Sequence, residues 1–214
     1  MANPDTPFGL RPTMHLNGNP WNGGTFKCYT SSGDATAAIF LGDIVDIVGD
    51  SCVKGCCMSV LKASSLADAA ELAGVMVSCD PYVNSSTNAG IHPEEYGGST
   101  LSTAKYRLAK EDRFVNCVLD PNVIYLCQGD TVTTSAVGNA CDNFTYIDGS
   151  GSTTTGLSGI EVDVSTIASD KSLGGWIWGI ADMPDHDIGI NDMYYVMINT
   201  SVWSGGTLGR TLGV

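Results

Sequence analysis

Residues 37–48 read AAIFLGDIVDIV, and their pattern decides the fold class. Ile44, Val45, Ile47 and Val48 form an apolar, β-branched run that Asp46 alone interrupts. A run this short reads as a strand buried on one side and nearly so on the other. Working outward, similar runs bounded by Gly, Asp or Pro occur at 56–63, 73–79, 105–109, 113–120 and 123–130. In GIEVDV (159–164), Ile160, Val162 and Val164 alternate with Glu161 and Asp163, the mark of a strand with one wet face. FTYID (144–148), GGWIWGIAD (174–182) and MYYVMINTS (193–201) read as further strands. One helical signal stands among them: SSLADAAEL (64–72), a Ser ahead of an alanine-rich turn, marginal at that length without tertiary support. The expectation is an all-β chain, a β-barrel or sandwich body with very little helix.

The first 25 residues hold Pro4, Pro7, Pro12 and Pro20 among Asn and Gly turn signals, with Phe8, Leu10, Met14, Leu16 and Trp21 spaced between them. Such a segment is an extended arm rather than a helix. Either it packs on its own domain or a neighbouring subunit holds it. The expected organisation is an extended N-terminal arm at 1–36, a barrel-like core domain at 37–130 and a small C-terminal β-rich lobe at 131–214.

Composition excludes several classes. The chain has 214 residues, 26 of them Gly, is 43% hydrophobic and carries a net charge of −13 with only 15% charged residues. That is neither a disordered acidic tail nor a helical bundle. An acidic surface disfavours nucleic acid, which needs a basic face to displace counterions. Lys105, Arg107, Lys110 and Arg113 cluster, but Glu111 and Asp112 sit among them, so a solvated strand face is the expected reading. No run is long and apolar enough for a membrane helix, and MANPDTPFGLRP lacks the basic-then-apolar order of an export signal. A soluble protein is expected, with no membrane partner.

Little in the sequence offers catalysis. The three histidines are His15, His92 and His186, and no G-x-S-x-G elbow, P-loop, dinucleotide or H-E-x-x-H motif occurs. No enzyme activity and no cofactor are expected. Asp182, Asp185, His186 and Asp187 could hold a hard cation if their loop curls, but acidic residues also suit a solvated turn. Of the eight cysteines, Cys52, Cys56 and Cys57 form a cluster without a C-x-x-C pair; buried thiols, a disulfide and a metal site all remain readings, the first favoured. Trp176 and Trp178, two apart on one strand, project from the same face, as a sugar-stacking platform requires; core or interface packing is the plainer alternative.

The order of several motifs resembles a family. ANPDTPFGLRP (2–12), HLNGNPWNG (15–23), IFLGDIVDI (39–47), AGVMVSCDP (73–81), GSGSTTTGLSGIEVD (149–163) and DMPDHDIGINDMYYVMIN (182–199) together are similar to head decoration, or cement, proteins of tailed bacteriophages. The cysteine cluster, residues 83–98 and the tail after Asn199 depart from that pattern. The resemblance implies a non-enzymatic, trimeric β-rich protein on the outer face of the virion, assembled in the bacterial cytoplasm, whose partners are the major capsid protein and itself. It also implies that Phe8, Leu10, Arg11 and Trp21 of the arm contact the capsid or a neighbouring subunit. The alternative is a virion-displayed module that binds carbohydrate or a host surface.

Overall fold

The computed structural model describes residues 3–31, 33, 37–48, 57–66, 72–80, 105–110, 112–130, 141–184 and 188–204. Twelve strands lie within them: β1 (Arg11–His15), β2 (Phe26–Thr30), β3 (Ile44–Val48), β4 (Met58–Lys62), β5 (Gly74–Cys79), β6 (Arg113–Val118), β7 (Val123–Gln128), β8 (Asn143–Phe144), β9 (Tyr146–Gly149), β10 (Gly159–Val162), β11 (Gly175–Ile180) and β12 (Met193–Ile198). Helix is confined, among the described residues, to single 3-10 turns at Val164–Thr166 and Val202–Ser204. The chain is all-β.

Strands β2-β4-β3-β5-β6 close into a barrel, β2 and β4 pairing parallel and the other neighbours antiparallel. Side chains alternate across a strand, and here both faces find a core. Val45, Met76 and Cys117 point into the barrel with Cys28, Val60 and Val115. Their chain neighbours Ile44, Val75 and Val118 point outward into a larger core shared with Tyr125, Phe144, Ile160, Ile177 and Val196. This is the physical reason that IVDIV is apolar on both faces. The second wall of the larger core is an open antiparallel sheet, β1-β7-β12-β11-β8, together with the β9-β10 hairpin.

Sheet membership crosses the expected boundaries at 36 and 130. β2, from the segment read as arm, closes the barrel, and β7, from the segment read as core domain, lies in the open sheet between β1 and β12. The arm itself packs on its own chain. β1 pairs with β7, Thr6 N–H donates to Gln128 Oε1 at 3.0 Å, and Asn3 Nδ2 donates to Ile190 O at 3.0 Å. Residues 105–109 form no regular strand; Arg107 and Ile39 instead exchange two backbone hydrogen bonds of 2.9 Å as an isolated bridge. Of the helical candidate, residues 64–66 are not helical and Leu72 bridges to Ser201; residues 67–71 lie outside the described residues.

The basic cluster is not a solvated face. Lys105 and Lys110 are exposed, but Arg107 and Arg113 are buried at 0% and 2% exposure. Arg107 donates to Ala37 O (2.8 Å) and Ser31 O (3.1 Å), and Arg113 to Asp80 O (2.8 Å) and Tyr106 O (2.6 Å). A guanidinium carries five donors in a rigid fork, so it can satisfy loop carbonyls that no ladder reaches.

Candidate functional site: two grooves that meet at Trp21

After β1 the chain reverses at Asn17-Gly18, with Gly18 at φ +83° and Asn17 Oδ1 accepting from Asn19 N–H at 3.1 Å. The return leg bonds back to β1, Trp21 N–H donating to Thr13 O at 3.0 Å. That small reversal, encoded by HLNGNPW, sets Trp21 half-buried against the larger core. Its indole Nε1 is buried and has no hydrogen-bond partner.

One groove, of about 460 Å³, borders β1 and is lined by Phe8, Leu10, Arg11, Trp21, Val77 and Leu157. All four residues expected as contacts thus border one depression, although they differ in what they can offer. Leu10 is 1% exposed and belongs to the larger core, so its side chain is committed to its own chain and cannot fill a neighbour's pocket. Arg11 is exposed, its guanidinium carbon 4.7 Å from the centroid of the half-buried Phe8 ring.

A second groove, of about 650 Å³, shares Trp21 with the first and is walled by Trp21, Phe26, Met58, Leu119, Val123 and Trp203, with His15 and Asp120 among its polar members. Asp120 is held from three directions: Oδ2 lies 3.2 Å from His15 Nδ1, and Oδ1 accepts from Asn122 N–H (2.8 Å) and Nδ2 (3.1 Å). Trp203 is fixed by its Nε1–H, which donates to Ala73 O at 2.9 Å, yet the residue stays 45% exposed; Phe26 is 56% exposed. Rings standing this far into water are informative because apolar surface of that kind is costly to leave uncovered. Sequence reading missed Phe26, Asp120 and Trp203 as site residues. Neither ring carried a local signal: FKCYT shows no alternation of exposed and buried residues, and Trp203 sits in a tail with no periodicity.

The other candidates separate. Trp176 and Trp178 do share a face, but their rings meet edge to face, 5.7 Å apart at 74°, and Trp176 Nε1 donates to Cys141 O at 2.9 Å. Two perpendicular rings do not make a flat stacking platform. Asp182 is exposed; Asp185, His186, Asp187, His92, Cys52 and Cys56 lie outside the described residues. Among the described residues no group of three or more His, Cys, Asp or Glu is placed to hold a metal, and no helix is long and apolar enough to cross a membrane. Of the described cysteines, Cys28, Cys117 and Cys127 are buried thiols, Cys57 and Cys79 are partly buried, and Cys141 is exposed. The hydrogen bond with Cys28, then burial, pushes the Cys117 thiol up; burial does the same to Cys127.

Comparison with known proteins returns no match: no family model, no curated protein and no solved structure aligns with the chain.

Proposed function

We propose that this chain is a structural virion protein that binds the outside of a major capsid shell and stabilises it by bridging neighbouring subunits, acting as a homotrimer. The likeness to cement proteins rests on the motifs quoted above. The observation that carries the reading is the convergence of Phe8, Arg11 and Trp21 on one surface groove beside β1. The bridge is made by folded faces rather than an exchanged arm, since Leu10 and β1 are already used within the chain. Repeated contacts of modest strength over a lattice add through effective concentration, and binding to the assembled shell alone stabilises it by mass action. No nucleic acid, membrane or cofactor enters this reading.

The test uses capsids assembled without the protein. Wild-type chain should saturate them in a pelleting assay and raise the temperature at which they release DNA. Phe8→Ala/Arg11→Ala should weaken decoration by about tenfold or more with its own unfolding midpoint kept close to wild type. Full decoration by the double variant would remove the groove from the contact; failure of the wild-type chain to bind would remove the reading.

A further inference from the structure

We propose that the 650 Å³ groove is a binding site for an organic cation with an apolar body, of the quaternary ammonium class. Its size falls within the range of small-molecule sites, about 300–1,000 Å³, and its walls are mostly apolar, with His15 and Asp120 paired among them. Three aromatic side chains, Trp21, Phe26 and Trp203, line it, and the negative face of such a ring attracts a cation. Among the described lining residues Asp120 is the carboxylate, and neither Lys nor Arg is present. The neighbouring Lys27 is directed to Asp80 (2.7 Å) and the Phe114 ring (4.5 Å). The chain as a whole carries −13, which favours approach of a cation.

Hydrogen bonding selects among cations. Trp203 Nε1 is engaged by Ala73 O, so that indole offers its ring. Both Asp120 oxygens already accept hydrogen bonds or face His15. A primary ammonium or guanidinium brings three or five N–H donors, and against aromatic walls most would lose water without gaining an acceptor. A quaternary ammonium has no donors to strand. Its methyl groups fit the apolar walls, and its charge is met by ring faces and one fixed carboxylate. This site stands on the groove alone and is independent of the capsid reading.

The full-length protein is titrated with tetramethylammonium, methylammonium and the uncharged neopentyl alcohol, followed by tryptophan fluorescence and by chemical shifts of the Phe26 and Trp203 rings. Tetramethylammonium should saturate, with methylammonium and the neutral compound each at least about fivefold weaker. Asp120→Asn and Phe26→Ala should each weaken it by about threefold to tenfold; Phe26, exposed at a strand start, gives a readout with little demand on folding. Trp178→Phe, outside the groove lining, should bind as wild type. Equal binding of the neutral compound, tighter binding of methylammonium, no saturation, or unchanged affinity in both groove variants would each overturn the proposal.

Discussion

Gly9 and Gly42 pass backbone against backbone. A Cβ on Gly9 would fall 2.6 Å from Gly42 O, one on Gly42 would fall 2.6 Å from Phe8 O, and both residues have positive φ, +71° and +94°. Leu10 N–H donates to Gly42 O at 3.0 Å, so this contact lays the N-terminal segment along the start of the barrel strand β3. Gly42→Ala combines a left-handed backbone with an atom that has no room, and should cost about 3 kcal/mol. Urea unfolding followed by circular dichroism should show a lower midpoint with an unchanged slope. A midpoint equal to wild type would mean that the close approach does not exist in solution.

Arg113 supplies the next expectation. Its guanidinium ties Asp80 O and Tyr106 O together inside a buried position, work that a single ammonium cannot repeat in the same geometry. Arg113→Lys should lose about 2 kcal/mol, measured by the same unfolding, and Arg113→Met should lose at least as much because the carbonyls are then buried without donors. Retention of wild-type stability by the lysine variant would show that charge, not the fork, is what matters there.

Much of this architecture was legible beforehand, and the exceptions share a cause. Strands β3 to β7 and β10 to β12 announce themselves because alternating or continuous apolar runs are fixed by two opposed cores, as Ile44 and Val45 illustrate. β1 was hidden: RPTMH contains Pro12 and only one long apolar residue, and the strand exists because β7 offers an edge, not because of its own pattern. The same holds for FKCYT in β2, whose identity comes from barrel closure. The basic cluster misled because spacing reports charge, whereas the burial of Arg107 and Arg113 depends on loops distant in sequence. The groove at Trp21 is likewise assembled from β2, the β6–β7 turn and the 3-10 turn at Val202–Ser204, an arrangement no local pattern encodes.

Acidity should act on stability through four carboxyls, three with raised and one with lowered pKa. Burial raises the pKa of Asp43, against hydrogen bonds from Phe40 N–H and Ser158 O–H and the charge of Lys62; burial also raises Asp46 and Glu161. Between the unfolded value and the raised native one, the folded chain holds more protons. These groups therefore contribute stability that is fully present below the unfolded pKa and is lost as pH rises through the native one. Asp170 opposes them: its pKa is lowered by bonds from Ser172, so its contribution is present at higher pH and lost on acidification. Urea midpoints should therefore rise as pH falls from neutral towards the ordinary carboxylate range, until protonation of Asp170 at lower pH opposes the trend. Asp43→Asn should flatten that rise. A midpoint falling steadily over the same interval would contradict the assignment.

Thiol chemistry distinguishes the two environments of the cysteines. Cys141 is exposed, at the start of the segment leading into β8, whereas Cys28 and Cys117 sit inside the barrel and Cys127 in the larger core, all at 0% exposure. The thiolate is the reactive form, and burial disfavours it; Cys127 is pushed up in this way, and Cys117 by its bond with Cys28 as well. Brief treatment of the native protein with iodoacetamide, followed by peptide mass spectrometry, should label Cys141 and leave Cys28, Cys117 and Cys127 unmodified. The same reagent in denaturant should label all four. Because labelling of the interior thiols then requires opening, their modification rate in increasing urea should follow the unfolding curve, Cys28 and Cys117 rising together. Cys127 rising at lower urea than that pair would show that the open sheet separates from the barrel before the barrel itself opens, whereas coincident curves for all three would show that the core shared by Val75 and Tyr125 makes the two sheets one cooperative unit.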